Sequence, residues 1–375
     1  MSYIAAEQLY SEEMLTHANF YRSIALEVDE CADNIKNYFD HSTILSFIND
    51  KSQNCLERTK QFEALAYGDP GVLLSAPGSS LAGQMIKELG NEEQNHFFEQ
   101  YLLSHQTRTF LAVTEPHHGS DAANLETKII TSNPAKLYLH GEKCLVGNGV
   151  TGEIGVVVAR TSPGPLGMVA VIIMPGQMGT LSFPDESIQR AIIPTVGLRG
   201  ASLSHLVFDH YELTHEQVLG RHLRIANRGL MGLMKTFNRM RTCVGALAIG
   251  LSQAVMDYVY QEIKTLSISD KRILNELSHK INAARQILYQ SAGYIDWDVS
   301  NGAEASKAKV IATKTAEFVM DQIINLLEVD VFWEHPLIEK WHRDVYGFEF
   351  MEGTKQIHYK NIANKFLTKK QFIYE

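Results

Sequence analysis

A glutamate near the end of this 375-residue chain stands among residue types that could move a proton. Glu352 follows the apolar residues Phe350 and Met351 and precedes Gly353 and Thr354. A carboxylate among apolar side chains is costly to ionise, so we expect its pKa to rise toward neutral pH, where it could act as a general base. The glycine permits close approach of the backbone, and Thr354 can cap a following helix. The same pattern also fits an ordinary glutamate at a helix start.

Arg241 is a second candidate, because it lies on the apolar side of a predicted helix. At about 100° per residue it falls on the same half of the helix as the apolar stripe. An inward guanidinium keeps its charge and needs an anionic or carbonyl partner. Two interpretations stay open. Arg241 either lies in an active-site cavity or forms a structural ion pair with Asp344. The apolar stripe consists of Leu230, Leu233, Phe237, Met240, Val244, Leu247 and Leu251.

Two upstream motifs, GNEEQ at residues 90–94 and LAVTEPHHGSD at residues 111–121, precede the EGT motif in a fixed order. Together the three motifs resemble the acyl-CoA dehydrogenase superfamily, over nearly the whole chain. The resemblance implies an α+β fold with an N-terminal helical domain, a middle β-barrel-like domain and a C-terminal four-helix bundle. We place these domains at residues 1–110, 111–220 and 221–375.

The resemblance also implies an FAD-dependent α,β-dehydrogenation of an acyl thioester carried by CoA or by an acyl carrier protein. Glu352 would remove the α-proton while a hydride leaves the β-carbon for flavin N5, with Arg241 in the same cavity. The backbone N–H of Glu352 and a flavin hydroxyl would polarise the thioester carbonyl. The positions that match the family's flavin and acyl contacts are Val113, Thr114, Gly119, Ser120, Leu145, Gly147, Thr354 and Gln356.

Several positions depart from the family's pattern. Leu145 stands where an aromatic residue is usual, and Gly147 stands where a hydroxyl residue is usual. The R-x-x-FG segment expected shortly after Tyr260 is replaced by TLSISDKR, and the later Q-x-x-x-G-G is replaced around residues 324–328. In relatives the last two elements reach the FAD of a neighbouring subunit. We therefore expect weaker FAD binding, and we keep two alternatives: a flavin oxidase or monooxygenase, and a degenerate binding protein.

Composition excludes several other classes. A hydrophobic content of 45% and a charged content of 21% are ordinary for a globular protein. The net charge of -9 argues against nucleic-acid binding. No stretch reads as a membrane span, and the four separated cysteines indicate reduced thiols in a cytoplasmic protein. We expect a homodimer or homotetramer, with an electron-transfer flavoprotein or oxygen as the electron acceptor.

The elements that must position these residues follow from periodicity and turn signals. Residues 1–110 have helical spacing, interrupted by the turn-rich segment GDPGVLLSAPGSS. A hairpin through SNPA and two apolar runs flanking TSPGPLG predict β-structure up to about residue 220. Helices return from His222, and we predict further ones over residues 271–297, 303–327, 336–346 and 354–370.

Two other patterns carry open interpretations. His117 and His118, and the helix-spaced set His335, Glu339 and His342, lack the further ligands that a metal site needs, so we predict no metal. Five basic residues would share one helix face, in an arc of about 60°, if the chain is helical from residue 221 onward. That face is either solvated or a dock for CoA phosphates or an acidic carrier protein, as some relatives in polyketide and nonribosomal pathways use. The five are Arg221, Arg224, Arg228, Lys235 and Arg239.

Overall fold

The structure is a computed structural model that describes residues 3–48, 51–52, 54–133, 136–174, 186–262, 266–327 and 330–371. Helices come first along the chain, a β-sheet follows, and helices return. This order confirms the predicted fold class of N-terminal helices, a middle β-sheet domain and a C-terminal helical domain. The domain boundaries after residues 110 and 220 stay predictions. All four cysteines are free thiols.

The N-terminal region is helical, as predicted. Gly90 follows the end of α6, and the side chains of Asn91 and Gln94 cap the start of α7 reciprocally. The helices are α1 (Glu12–Ser23), α2 (Ala25–Glu30), α3 (Ser42–Ser46), α4 (Cys55–Gly68), α5 (Pro70–Ser75), α6 (Ser80–Leu89) and α7 (Glu92–His105).

The prediction of a turn-rich interruption at residues 68–80 was wrong in part, because α5 lies inside it. The carboxylate of Asp69 accepts the backbone N–H of Val72 at 2.9 Å, and Pro70 occupies the first turn. Proline is tolerated there because the first N–H groups of a helix have no partner within the helix. A short helix can therefore begin in a segment whose Gly and Pro content indicates a turn.

The middle domain is a sheet in the order β1-β4-β2-β3-β7-β6, with β5 beside β4. The predicted hairpin is confirmed, since β2 pairs antiparallel with β3, and the two predicted strands around TSPGPLG also pair antiparallel, as β4 and β5. Pro134 and Ala135 of the predicted SNPA turn lie outside the described residues. The strands are β1 (Thr109–Ala112), β2 (Lys128–Asn133), β3 (Lys136–Val146), β4 (Ile154–Arg160), β5 (Met168–Ile173), β6 (Ile188–Ile192) and β7 (Ser204–Leu213).

Strand β4 is buried on both faces, which explains its continuous apolar run. Val156 and Val158 pack in a cluster with residues of α6 and α7. Val157 and Ala159 point the other way and pack with residues of β3 and β7. The sheet therefore has one face against the N-terminal helices and closes its other face on its own strands.

The C-terminal region contains α8 (Gly229–Glu262), α9 (Ile268–Trp297), α10 (Gly302–Leu327), α11 (Val331–Glu334), α12 (Pro336–Val345) and α13 (Lys355–Gln371). The four predicted helices that follow α8 correspond to α9, α10, α12 and α13, with ends that differ by at most three residues. Helices α8, α9 and α10 share one apolar cluster with Ala66 and Tyr67 of α4. These helices were predictable because each one buries an apolar stripe, and the periodic apolar residues of that stripe mark the extent of the helix in the sequence.

Helix α8 is the core helix of this region. The stretch Ile225–Glu262 is long and apolar enough to cross a membrane by length and composition, contrary to our expectation from the sequence. Its apolar window is 94% buried inside the protein, however, as is expected of a helix packed against other helices on all sides. The hydropathy of α8 is accounted for by this packing.

The predicted basic helix face was wrong, because α8 begins only at Gly229. Gly229 has φ +44°, and an added Cβ would lie 2.1 Å from the carbonyl oxygen of Met168 in β5. The chain therefore passes close to β5 before it becomes helical, so Arg221 and Arg224 precede the helix. Arg239, which does lie on α8, forms an ion pair with Glu88 at 2.7 Å.

A buried lysine connects all three regions of the chain. Lys340 on α12 donates to Asp69 and to Asp344, each at 2.7 Å. Asp344 also accepts the backbone N–H of Leu198 at 2.5 Å, and Leu198 follows β6 in the middle domain. Burial alone would lower the pKa of Lys340, but the two carboxylates raise it above its usual value. The ammonium is therefore charged and holds two carboxylates that are themselves fully buried.

We predict that Lys340→Met destabilises the protein by about 3–5 kcal/mol, because it leaves Asp69 and Asp344 buried without a counter-charge. The free energy of unfolding in urea, followed by circular dichroism, measures the loss.

Lys36→Met is the matched control. It removes an ion pair with Asp33 of similar length, 2.8 Å, in which both side chains are about half exposed. We expect this variant to lose about 1 kcal/mol or less. Equal losses in the two variants would contradict a special role for Lys340.

Candidate active site

A single cavity of about 1040 Å³ brings the predicted site residues together. Both predicted catalytic residues, Glu352 and Arg241, line it, and so do seven of the eight predicted flavin contacts. The exception is Gln356, which is exposed on the first turn of α13 and is not among the lining residues. The wall combines β1, the loop after it, the end of β3, α8 and the segment before α13. Residues more than 200 positions apart in the sequence thus meet at one site.

Glu352 lies in a strained turn between a 3-10 helix, Tyr346–Phe350, and α13. Its φ is +48°, in the left-handed region that costs a non-glycine residue about 1 kcal/mol. Gly353 follows with φ +104°, which explains why glycine stands there. Of the predicted apolar neighbours, Phe350 is 69% exposed, whereas Phe348, two residues before it, is buried. Glu352 lies in the wall of the cavity.

The pKa of Glu352 lies close to neutral pH. Its Oε2 atom is buried and has no hydrogen-bond partner among the described residues. Burial raises the pKa of Glu352 to about 7, against the opposing charges of Lys309 and Arg241. The expected upward shift is therefore present, and its cause is the loss of water around the charge. A carboxyl group with this pKa can both accept and return a proton at neutral pH.

Arg241 on α8 faces Glu352, as the cavity interpretation predicts. Its Nε donates to the backbone oxygen of Glu352 at 3.1 Å, and a terminal nitrogen donates to Asn238 at 2.9 Å. Burial lowers the pKa of Arg241 to about 10, so the guanidinium is charged at neutral pH. The alternative ion pair with Asp344 is wrong, because Asp344 pairs with Lys340 instead.

Lys309 on α10 belongs to the site but was missed. It is 1% exposed and donates to the backbone oxygen of Glu349 at 2.9 Å, as well as to those of Met351 and Gly353. Burial lowers the pKa of Lys309 to about 8, partly offset by the charge of Glu352. The sequence contained a signal, since Lys309 lies between buried alanines of α10, as Arg241 lies on the stripe of α8.

The loop after β1 is fixed by a second buried pair that was also missed. Glu115 accepts the backbone N–H groups of Glu126 and Thr127, at 2.6 and 2.9 Å, and the ammonium of Lys143 at 2.8 Å. Lys143 on β3 also donates to the backbone oxygen of Val113 at 2.9 Å. These bonds hold the TEP segment beside the cavity, so Glu115 serves the shape of the loop and needs no role in proton transfer.

The cavity wall suits the ring system of a flavin. Hydroxyl groups come from Thr114, Ser120 and Thr354, on both sides of the cavity, while Val113 and Leu145 offer apolar surface. Polar ring edges and apolar ring faces need this combination of groups. The residues that are present therefore fit FAD, and they come from three segments, which are the loop after β1, the end of β3 and the turn before α13.

Gly147 leaves part of that wall open. An added Cβ there would meet only the backbone oxygen of Ala201, at 3.7 Å, so a side chain would fit. Leu145, with φ +55°, is 56% exposed. The replaced R-x-x-FG segment instead begins α9, where the side chains of Ser267 and Asp270 cap the helix reciprocally. Leu145 and Gly147 therefore offer no polar side chain toward the cavity.

The histidine pairs considered as metal ligands are engaged elsewhere. His118 lies 3.5 Å from Glu126, and His335 contacts the hydroxyl of Tyr258 at 3.0 Å. In the part of the chain that the structure describes, the potential ligands that converge are His140, Asp209 and His210, exposed on β3 and β7. None of these lies at the cavity.

Comparisons with known proteins match two regions of the chain to one family. The family model described as "Acyl-CoA dehydrogenase, middle domain" matches residues 111–211, and that described as "Acyl-CoA dehydrogenase, C-terminal domain" matches residues 227–367. An acyl-CoA dehydrogenase of Bacillus subtilis (strain 168) is 29% identical over 310 residues, which cover 79% of this chain and 78% of the relative.

Two further comparisons extend the likeness. The caffeyl-CoA reductase-Etf complex subunit CarC of Acetobacterium woodii is 26% identical over 326 residues, covering 84% of this chain and 82% of the relative. The structure of butyryl-CoA dehydrogenase from Megasphaera elsdenii superposes with a TM-score of 0.79 at 22% identity, covering 95% of this chain and 97% of that one.

Two models of one family thus match consecutive parts that make up most of the chain, in the order of its middle and C-terminal domains. The whole fold agrees as well. The chain therefore belongs to the acyl-CoA dehydrogenase family, whose members are FAD-dependent oxidoreductases that act on CH–CH groups.

Proposed function

We propose that the protein dehydrogenates an acyl thioester between its α and β carbons, with Glu352 as the base that removes the α-proton. The observation that carries the proposal is the buried, unpaired Oε2 of Glu352, a residue that lines the same cavity as seven of the eight predicted flavin contacts. A pKa of about 7 matches a base that works near neutral pH. Bound FAD supplies the acceptor for the hydride that leaves the β-carbon.

The thioester carbonyl must be polarised to make the α-proton acidic. We propose that the backbone N–H of Glu352 donates to this carbonyl. Among the described residues none accepts a hydrogen bond from that N–H, and the positive φ of Glu352 and Gly353 sets its direction. Arg241 holds the backbone oxygen of Glu352 from the opposite side. The same turn would therefore carry both the base and a donor for the developing negative charge.

Electron flow to or from the site can take either direction. The relative from Acetobacterium woodii is named a reductase and a subunit of a complex with an electron-transfer flavoprotein. We propose an electron-transfer flavoprotein as the partner of this chain, with oxygen as the alternative acceptor of an oxidase. Reoxidation of the reduced protein by oxygen on a timescale far slower than turnover would separate the dehydrogenase from the oxidase.

We also propose a homodimer or homotetramer, since large apolar side chains are more than 60% exposed on the C-terminal helices and their connections. These side chains are Ile268, Trp297, Trp333, Phe366 and Leu367.

We predict that Glu352→Gln keeps FAD bound and slows its reduction by substrate at least about a hundredfold, because the amide cannot accept the proton. Anaerobic stopped-flow measurement of the flavin absorbance gives this rate. Near-normal reduction in the variant would exclude Glu352 as the base.

The pH profile of the wild type is the accompanying control. The base must be ionised, so the reduction rate should rise with pH and level off above about 7, the pKa to which burial raises Glu352. An acid limb centred near 4.5, the ordinary value for glutamate, would contradict the buried site.

We predict that FAD dissociates measurably during gel filtration at micromolar protein, because the side chains at Gly147 and Leu145 supply no hydrogen bond to it. Gly147→Ser should tighten the FAD dissociation constant about threefold to tenfold by adding one hydroxyl at a position with room for it. Gly147→Ala, which adds the carbon without the hydroxyl, is the matched control. Equal binding in the Ser and Ala variants would contradict this account, as would full retention of FAD by the wild type.

We propose CoA as the carrier of the acyl group, with an acyl carrier protein as the alternative. Arg221 and Arg224 are exposed just before α8, whose first turns line the cavity through Leu230 and Met234. Their charges could meet phosphate groups near the entrance, although they do not form the helix face that was predicted.

We predict that Arg221→Glu with Arg224→Glu lowers kcat/KM for the CoA thioester at least about threefold at low salt, because such charges mainly affect encounter. The pantetheine thioester of the same acyl group, which lacks the CoA phosphates of the nucleotide, should be unaffected. Arg272→Glu, an exposed arginine on α9, is the control. A larger loss with the carrier-bound form would favour the carrier protein, and equal loss with all three forms would exclude docking at these residues.

A further inference from the structure

We propose that Lys309 is a positioning residue that holds the turn carrying Glu352 and keeps its carboxylate ionised at neutral pH. The inference rests on the proposed role of Glu352 as the base. It concerns a side chain that contacts the turn from behind and that does not line the cavity.

The geometry of the turn is set by one ammonium group. Lys309 donates to the backbone oxygens of Glu349, Met351 and Gly353, so alternate carbonyls of the turn point at a single cation. Glu352 lies between two of these carbonyls, in its left-handed conformation. Because three bonds converge on one point, the turn cannot relax to a less strained conformation without losing at least one of them. Glu352 itself lines the cavity.

The charge of Lys309 has no carboxylate in direct contact. No ion pair shorter than 4.0 Å links it to a described carboxylate, unlike Lys340 and Lys143. Glu349, whose backbone oxygen binds Lys309, pairs through its carboxylate with Lys355 at 3.1 Å. The ammonium is 1% exposed, so water cannot screen it. Among the carboxylates that act on Lys309, Glu352 has the largest effect, and the ionisation of the two groups is linked.

The other titratable groups around the turn do not replace this effect. His358 on α13 contacts the backbone oxygen of Gly353 at 2.9 Å and Ser306 on α10 at 3.0 Å. Burial, followed by Lys309 and Arg241, lowers the pKa of His358 to about 3, so its imidazole is neutral at pH 7. Arg241 on α8 is charged and also favours the ionised form of Glu352. The turn therefore faces two cations, of which Lys309 is the larger influence on Glu352.

The test compares Lys309→Gln with the wild type in the FAD-loaded protein. Glutamine retains donors for the carbonyls and removes the charge. The carbonyl stretch of the protonated Glu352 carboxyl, assigned by its absence in Glu352→Gln, is followed by infrared difference spectroscopy as pH is varied. We expect the titration midpoint of Glu352 to rise by about one pH unit or more in Lys309→Gln, because an opposite charge at this range lowers a carboxyl pKa by about one to three units. An unchanged midpoint would overturn the inference.

Lys307→Gln is the matched control, because Lys307 lies on the same helix, pairs with Glu304 and is 35% exposed. We expect it to leave the midpoint within about 0.3 units, since exposed charges are screened. Lys309→Arg keeps the positive charge, so its midpoint should stay within about half a unit of the wild type. A midpoint in Lys309→Arg that rises as far as in Lys309→Gln would show that charge is not the cause, and would also overturn the inference.

The rate of flavin reduction separates this inference from the proposed function. If both are right, the acid limb of the reduction rate moves upward in Lys309→Gln by the same amount as the infrared midpoint. A shifted midpoint with an unmoved acid limb would mean that Glu352 is ionised with the help of Lys309 but is not the base, which overturns the proposed function. An unmoved midpoint together with a large loss of activity in Glu352→Gln would overturn the role of Lys309 alone.

Discussion

A buried ammonium group must be surrounded by acceptors, and this constraint shapes the whole molecule. Lys340 meets it with two carboxylates, Asp69 from the N-terminal region and Asp344 from its own helix. Because Asp344 also accepts the backbone N–H of Leu198, this buried cluster links all three regions of the chain. The buried lysine and its two carboxylates therefore connect the N-terminal helices, the middle domain and the C-terminal helices.

The same constraint is met differently at Lys309, and the difference matters for chemistry. Two carboxylates around Lys340 balance its charge locally and raise its pKa, which leaves a structural cluster. Three backbone oxygens around Lys309 satisfy its donors without neutralising it, so burial lowers its pKa to about 8. The remaining positive charge acts on Glu352, whose own burial works in the opposite direction. A carboxylate partner would have neutralised Lys309, whereas the three carbonyl oxygens leave its positive charge able to act on Glu352.

The sequence predicted what depends on local pattern. The four predicted helices after α8 lie within three residues of their expected ends, whereas the short helix α11 was not predicted. The predicted hairpin and the two strands around TSPGPLG also form, because apolar period and turn residues decide them. The start of α8 was wrong, since it depends on the approach of Gly229 to Met168, a contact that no local pattern contains. The partners of Lys143 and Lys309 were not predictable either, because they are backbone oxygens and a glutamate that become neighbours only after folding. The place of Lys309 between buried alanines of α10 indicated only that its side chain is buried.

The residues that line the cavity differ from most of the groups that hold its loops in place. Toward the cavity, the two loops present apolar surface and a few hydroxyls, whereas Lys143 and Lys309 bind them from behind. Arg241, which binds the backbone oxygen of Glu352, is an exception because it lines the cavity. Together these supports hold the turn in the conformation in which the carboxyl group of Glu352 is buried, and that burial raises its pKa to about 7. The reactivity proposed for Glu352 is therefore a property of the groups that hold its turn as much as of the residue itself.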